Sequence, residues 1–231
     1  MAYNFSFSYS KFSMWDKCPK QYKLAKIDKI DTGPTPKPLL DGRKVHDDIK
    51  DYLNGKIEVP ARLTKHFSVF GDQLQNMNLY KSGAVEVIVE EQMGFDRGKR
   101  RCKWFGPNTY YRFIWDAAIV DHGAGTIYAV DWKTGKPYDS YEDQMQIFSM
   151  PGFWMFPEIH TFKSYLMFLD SGDVEEGTIT REDFEQKVEP KWTSKIRLFE
   201  SDDQFIATPS PQACKWCDFG KNKMGICGDS V

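Results

Sequence analysis

The sequence lacks the segments that send a protein into or across a membrane. Residues 1–12 have neither the basic start nor the apolar middle of a secretion signal. No stretch approaches the roughly 20 apolar residues that span a bilayer, and the densest short apolar run covers residues 165–169. These absences predict an intracellular protein without a membrane partner, and the compact length suggests the cytoplasm of a bacterial or phage-infected cell.

A strong net charge is also missing, since 31 basic residues face 33 acidic ones in a chain of 231 residues. A surface for nucleic acid would therefore have to be local. The run at residues 97–103 is one candidate, with Arg97, Lys99, Arg100 and Arg101 as potential DNA contacts. An ordinary solvated surface is the alternative interpretation of such a run.

The five cysteines have a pattern that structural disulfides do not explain in a reducing compartment. Cys214, Cys217 and Cys227 lie in a last segment rich in proline and glycine. Their spacing is typical of a metal-binding knuckle that lacks one ligand. Cys18, which precedes a proline, can supply the fourth thiolate.

The hydrophobic pattern predicts a helical first third followed by a mixed region of strands and helices. We expect helices at residues 8–29, with an interruption at Pro19, and at 41–53, 65–80, 138–150 and 180–199. Period-two alternation predicts strands at residues 84–95, 110–120, 127–132 and 161–169, and a short strand that ends near residue 179. This order indicates an α/β fold in which helices pack against one sheet.

Three residues of the predicted strands have the side chains that metal-assisted phosphodiester hydrolysis needs. Asp131 and Lys133 are two residues apart, so they point to the same face of a strand, and a hairpin separates them from Asp116. Carboxylates hold Mg²⁺ or Mn²⁺, and a lysine can orient a water molecule or stabilise charge on the phosphate. By itself, however, an Asp-x-Lys pair is more often a surface ion pair.

The surrounding motifs favour the catalytic interpretation because they occur in a fixed order. They are Gly42-Arg-Lys-Val-His46, Ile114-Trp-Asp116, Val130-Asp-Trp-Lys-Thr-Gly-Lys136 and Gln144-Met-Gln-Ile-Phe148. The series resembles the RecB-like branch of the PD-(D/E)xK nuclease superfamily, which includes phage exonucleases and CRISPR-adaptation nucleases. The last motif ends in phenylalanine where that branch has tyrosine.

The resemblance implies roles for individual residues. Asp116 and Asp131 would be metal ligands, the backbone carbonyl of Trp132 a third ligand, and Lys133 the catalytic lysine. His46 would be a further metal ligand, which suits Mn²⁺ somewhat better than Mg²⁺.

Gln144 would act at the same site, by contacting metal-bound water or the DNA backbone. A further acid from the first strand, Glu90 or Glu91, is also a candidate, and the sequence does not decide between them.

The resemblance also implies a fold and a second metal centre. The fold would be a restriction-endonuclease-like core, with a central mixed β-sheet flanked by helices and a Cys-rich C-terminal tail stapled to the N-terminal helix. A single nuclease domain would span residues 1–231, with a helical part at 1–83, a nuclease core at 84–205 and a metal-binding tail at 206–231. Cys18, Cys214, Cys217 and Cys227 would hold a [4Fe–4S] cluster; Zn²⁺ at the same thiolates, or free thiols, are the alternatives.

The predicted function is a Mg²⁺- or Mn²⁺-dependent deoxyribonuclease, most simply an exonuclease that acts on single-stranded DNA ends during DNA processing or recombination. The sequence has no Gly-x-x-x-x-Gly-Lys-Ser/Thr motif with which to power duplex unwinding. Two alternatives stay open: an endonuclease, and a non-catalytic nucleic-acid-binding or assembly module with a structural metal cluster.

Overall fold

The computed structural model describes residues 5–58, 85–135 and 141–231, which form parts of two compact units. One unit comprises Met1–Thr35 and Lys191–Val231, and the other comprises Pro36–Pro190. The predicted helix at residues 65–80 lies outside the described residues. Within the described part of the chain, no helix is long and apolar enough to cross a membrane.

The unit Pro36–Pro190 contains a five-stranded mixed sheet in the order β1-β5-β6-β7-β8. Strands β6 and β7 are parallel, and the other neighbours are antiparallel. A parallel pair needs a crossover connection, which helix α4 (Glu142–Met155) supplies. The strands are β1 (Val85–Val89), β5 (Ala117–Asp121), β6 (Thr126–Lys133), β7 (Thr161–Phe168) and β8 (Val174–Thr180).

Helix α3 (Lys37–Leu53) packs on this sheet through the apolar face that the sequence predicts. Ile49 is buried against Ala117, Val130 and Trp132, and its neighbours on the helix extend the contact. Burial of this apolar stripe fixes the helix against the strands that carry the acidic motifs.

A smaller sheet of three strands, in the order β3-β2-β4, corrects two strand predictions. It consists of β2 (Gln92–Phe95), β3 (Arg101–Cys102) and β4 (Tyr111–Ile114). The predicted strand at residues 84–95 is broken at Glu90, whose φ of 50° turns the chain out of the large sheet. The predicted strand at 110–120 is broken opposite, because Glu90 N donates to the carbonyls of Trp115 and Asp116 at 3.1 Å each. Each of the two predicted strands therefore forms one strand of the large sheet and one strand of the small sheet.

The sequence predicts that Pro151 ends or kinks helix α4, and the structure places Pro151 inside this helix. Proline removes a helical hydrogen bond and crowds the preceding turn. In this turn the carbonyl of Phe148 accepts a hydrogen bond from Trp115 Nε1 at 3.0 Å. Gly152 lets the helix approach the sheet, since a Cβ there would lie 2.9 Å from Ile127 Cδ1. These contacts carry the helix on to Met155.

The predicted helix at residues 180–199 begins as expected, with Thr180 Oγ1 accepting a hydrogen bond from Asp183 N at 3.1 Å. It comprises α5 (Arg181–Asp183), a widened π-helical turn (Phe184–Val188) and α6 (Glu189–Ser201). The widened turn immediately precedes Pro190, where a regular α-helix could not form all of its hydrogen bonds.

The unit formed by Met1–Thr35 and Lys191–Val231 has an aromatic core, in which Phe199 contacts Trp15 and Tyr22. Its first helical segment is interrupted where the sequence predicts it. Helix α1 (Tyr9–Lys17) ends at Cys18, and α2 (Pro19–Tyr22) then leads into a π-helical turn (Lys23–Ile27). In the C-terminal segment, helix α7 (Pro211–Lys215) is capped by the side chain of Ser210.

Candidate metal and active site

The hairpin of β5 and β6 brings the central acidic residues together. Ala117 pairs with Val130, so Asp116 and Asp131 lie one position beyond that pair at the same end of the hairpin. Asp116 Oδ2 accepts a hydrogen bond from Trp132 N at 2.8 Å, which fixes its carboxylate beside β6. Asp116 and Asp131 therefore lie at one edge of the sheet, and Lys133, the third residue of the predicted centre, follows Asp131 on the same strand.

Asp131 and Lys133 form the ion pair expected from their spacing, with Lys133 Nζ 2.6 Å from Asp131 Oδ2. Asp131 Oδ2 is buried, and no other donor among the described residues reaches it, so the Lys133 ammonium alone balances the charge at this oxygen.

Helix α3 adds His46 to the acidic edge. His46 Nδ1 lies 3.2 Å from Asp116 Oδ2 and 3.7 Å from Glu90 Oε1. The helix can approach the strand end because residue 42 is glycine: a Cβ there would lie only 3.2 Å from Thr134 Oγ1. Gly42 thus stands one turn before His46 for a steric reason.

Glu90, one of two acids between which the sequence did not decide, is the one at this edge. Glu91 instead forms an ion pair with Arg101 on the small sheet. The left-handed backbone at Glu90 sets this difference, and such a conformation costs a non-glycine residue about 1–3 kcal/mol. Two adjacent acids inside one predicted strand carry no signal that would separate them.

His46, Glu90 and Asp116 form a set that can hold a metal ion, since one ligand atom from each lies within 4.8 Å of the others. Two carboxylates and an imidazole suit a divalent ion such as Mg²⁺ or Mn²⁺. The buried Oδ2 of Asp131 adds a third carboxylate oxygen to the same acidic edge. The residues present therefore fit the metal that the sequence predicts.

The electrostatics of the site favour positive charge. Burial lowers the pKa of His46, but its hydrogen bonds with Asp116 and Glu90 outweigh that effect and raise the pKa to about 10. Burial and the neighbouring Asp116 raise the pKa of Asp131, because each disfavours another negative charge. The shift of the His46 pKa reflects the negative charge of its carboxylate neighbours, which a divalent cation would neutralise.

Gln144 links the two members of the ion pair from helix α4. Its Nε2 donates to Asp131 Oδ1 at 3.0 Å, and its Oε1 accepts from Lys133 Nζ at 3.1 Å. The Gln144 side chain is buried, although both of its partners also line the cleft described below. This geometry suits a residue that positions Asp131 and Lys133.

An open cleft of about 640 Å³ gives access to the acidic edge. It is formed by α3, the Glu90 turn, the ends of β4 and β6 and the residues that follow β6, and it reaches His46, Glu90, Asp116, Asp131 and Lys133. Trp132 also lines it, although its indole is buried in the core below. Metal binding by the Trp132 carbonyl stays a prediction.

The four basic residues proposed to contact DNA lie around the β2–β3 turn. Three of them are ion-paired: Lys99 with Glu189 at 2.8 Å, Arg100 with Asp96 at 2.8 Å, and Arg101 with Glu91. Arg97 lies 4.1 Å above the ring of Tyr110. Much of their charge is therefore balanced locally, and DNA contact by these residues stays a prediction.

The four cysteines of the predicted second centre line one small cavity. Cys18 lies at the break between α1 and α2, Cys214 on α7, and Cys217 and Cys227 in the turns that follow. No three of these sulfur atoms lie within 4.8 Å of one another. A hydrogen bond from the backbone of Val231 lowers the pKa of the Cys214 thiol, whereas burial raises that of Cys217.

The C-terminal segment also contacts the N-terminal helices without any metal. Thr208 Oγ1 donates to the carbonyl of Lys17 at 3.1 Å, and Lys20 forms an ion pair with Asp229. These contacts lie on both sides of Cys18 in the sequence.

Comparisons with known proteins agree with this architecture. A model of the PD-(D/E)XK nuclease superfamily matches residues 6–221. A "Putative exonuclease" from Eubacterium rectale is similar in structure, with a TM-score of 0.51 and 11% identity over 96% of this chain and 89% of that one. The structure of SSO0001 is more weakly similar, with a TM-score of 0.40 and 14% identity over 93% of this chain and 82% of that one, and carries no weight for the fold. No curated protein matches the chain. The predicted α/β class, a mixed sheet flanked by helices, is confirmed.

Proposed function

Because the chain belongs to the PD-(D/E)XK nuclease superfamily, we propose that it hydrolyses phosphodiester bonds of DNA at the edge formed by Asp116, Asp131 and Lys133. The observation that carries the proposal is the convergence of His46, Glu90 and Asp116 within metal-ligand distance, beside an Asp131–Lys133 pair held by Gln144. An ordinary surface ion pair would have neither a set of metal ligands nor a buried glutamine beside it.

Members of this superfamily use divalent metals. Here His46, Glu90 and Asp116 would hold the ion, with Asp131 completing the site. A bound Mg²⁺ or Mn²⁺ supplies Lewis-acid activation of phosphate and water.

Side chains of the protein would supply the remaining chemistry. The Lys133 ammonium lies at the mouth of the cleft, where it can donate a hydrogen bond to a phosphate oxygen and stabilise the charge that builds there. Gln144 holds that ammonium and the Asp131 carboxylate in one arrangement. The reacting water is thus placed between fixed donors and acceptors.

The proposed substrate is a single-stranded DNA end, cut as an exonuclease. The cleft is open to solvent along the acidic edge, and the chain lacks a phosphate-binding motif for unwinding a duplex. We further propose that residues 1–231 act as one nuclease domain, because the family match extends across both compact units.

End-labelled oligonucleotides with Mn²⁺ test the proposal. Wild type should shorten a single strand from one end, and Lys133→Ala should lose that activity. Lys163→Ala is the matched control, since this lysine lies on the neighbouring strand β7 and contacts Tyr128. If wild type and Lys133→Ala bind DNA equally but neither cuts it, the protein is a binding module; if a closed circle is cut, it is an endonuclease.

For the cysteine site, a [4Fe–4S] cluster is the proposed occupant. A single zinc ion holds sulfur atoms about 2.3 Å from itself, which requires tight packing of the four thiolates. The sulfur atoms here share a cavity but are more widely spaced, which favours a larger cluster.

Iron content and visible absorbance of anaerobically purified protein test this assignment. Cys18→Ser should lose both signals, whereas Cys102→Ser, at a cysteine on β3, should keep them. A colourless wild-type protein with stoichiometric zinc would overturn the cluster, and one without metal would indicate free thiols.

A further inference from the structure

The small sheet β3-β2-β4 has two faces with different surroundings. Phe95, Tyr111 and Phe113 point to one face, where each contacts the ring of Trp154 on α4. On β4 the alternate positions, Arg112 and Ile114, therefore point to the opposite face. On this second face, Ile114 is one of the residues that line the active-site cleft.

A cluster of cations and aromatic rings covers this second face. The Arg112 guanidinium lies 4.7 Å from the centre of the Phe105 ring and 5.7 Å from that of Trp104. Phe105 is nevertheless 71% exposed, which is unusual for a large apolar ring. Lys103, which is also exposed, adds a second positive charge.

The cluster is a built feature of the sheet. Gly94 pairs with Arg112, and a Cβ at position 94 would lie 2.5 Å from the carbonyl oxygen of Lys103. Glycine there lets the segment after β3 cross the sheet. Thr109 Oγ1 then donates to the same carbonyl at 2.8 Å and closes the loop.

The charge of the cluster is not balanced as it is in the neighbouring β2–β3 turn. Neither Lys103 nor Arg112 forms an ion pair within residues 5–58, 85–135 and 141–231, and Arg112 Nε is buried without a hydrogen-bond partner there. An exposed ring backed by unneutralised cations is complementary to a base and its phosphate.

From these observations we infer that Phe105, Trp104, Arg112 and Lys103 form a binding site for one unpaired nucleobase and its phosphate, outside the catalytic centre. The inference rests on the proposed function, because it assigns this site to the strand that enters the cleft. Arg112 precedes Asp116 by four residues, and Ile114 between them lines the cleft. The site would therefore contact a base a few nucleotides from the bond that is cut.

Binding of oligothymidine to the full chain tests the site without requiring cleavage. In a Lys133→Ala background with Mn²⁺, Phe105→Ala should weaken binding of a strand of about ten nucleotides by about fivefold or more. Phe105→Tyr, which keeps the ring, should restore the affinity. Val87→Ala is the matched control, because Val87 is an exposed apolar residue of β1 and is 57% exposed.

A single abasic nucleotide moved along the strand then locates the contact. One position should weaken binding by the protein with Phe105 intact as much as Phe105→Ala does, and the two changes together should cause no additional loss. Unchanged binding by Phe105→Ala, or an equal effect of every abasic position, would overturn the inference.

Failure of this site is distinguishable from failure of the proposed nuclease. If wild type and Phe105→Ala both cut DNA with the same KM, the proposed nuclease function stands and the base site is refuted. If wild type binds DNA through Phe105 but never cuts it, the base site stands and the nuclease function is refuted.

Discussion

Replacement of Gln144 by methionine tests whether the Asp131–Lys133 pair must be held from helix α4. Methionine has nearly the same length as glutamine but can make neither of the two hydrogen bonds at 3.0 and 3.1 Å. The ion pair between Asp131 and Lys133 would survive, but its two members would be free to turn toward the open cleft. We therefore expect a loss of activity that exceeds the loss of stability.

The magnitudes follow from the partners. A hydrogen bond to a charged group contributes about 1.5–3 kcal/mol when it is shielded, and less when water can replace it. Because Asp131 and Lys133 also reach the cleft, we expect the free energy of unfolding to fall by about 1–3 kcal/mol in total. Loss of a residue that orients a metal site typically reduces activity about 10- to 100-fold, and kcat should fall by that factor.

The assay is steady-state cleavage of end-labelled DNA, combined with chemical denaturation of the same preparations. Gln146→Met is the matched control: it is the same substitution on the same helix, where the lost bond is a surface contact with Glu142 at 2.7 Å. Equal kcat for wild type and Gln144→Met would refute the positioning role. So would an equal loss of kcat in both methionine variants.

Two further substitutions examine how the metal-binding edge is built. Glu90→Gln should raise the Mn²⁺ concentration needed for half-maximal cleavage about tenfold or more. Glu91→Gln, at the residue paired with Arg101, should leave that concentration unchanged. The opposite result would show that Glu91, and not Glu90, belongs to the metal site. Gly42→Ala should gain up to about 1 kcal/mol of helix propensity but lower cleavage, since the new Cβ would press on Thr134 Oγ1 at 3.2 Å. Activity should return in the double variant with Thr134→Ala, and Gly135→Ala, whose Cβ meets nothing within 4 Å, is the control.

The centre of the candidate site could be predicted from the sequence because its residues have fixed spacings within regular elements. Asp131 and Lys133 share a strand face by period two, and Gly42 and His46 share a helix face by one turn. Local periodicity determines such relations. The ordered series of motifs, through its resemblance to the nuclease superfamily, then predicted that the strand face and the helix face meet at one site.

What the sequence could not predict depends on single backbone torsions and on tertiary contacts. In the sequence the apolar residues 85, 87, 89, 93 and 95 all occupy odd positions, so the break at Glu90 leaves no trace in the pattern, although in β1 it is Ile88 that is buried and Val87 that is exposed. For the same reason Glu90 could not be separated from Glu91. Pro151 indicated the end or a kink of a helix, but the tertiary packing of Gly152 against Ile127, which the sequence pattern does not reveal, accompanies a helix that continues to Met155.

The hydrogen bond from Trp132 N to Asp116 Oδ2 makes this carboxylate part of the backbone hydrogen-bond network of the sheet as well as of the acidic edge. Pairing of β5 with β6 ends at Ala117 and Val130, and the Asp116 side chain extends the ladder beyond that point. Any cation that withdraws electron density from Oδ2 must weaken the bond to the Trp132 amide. The amide resonance of Trp132 and its rate of exchange with deuterated solvent should therefore report occupancy of the site directly, in the resting protein and without any turnover.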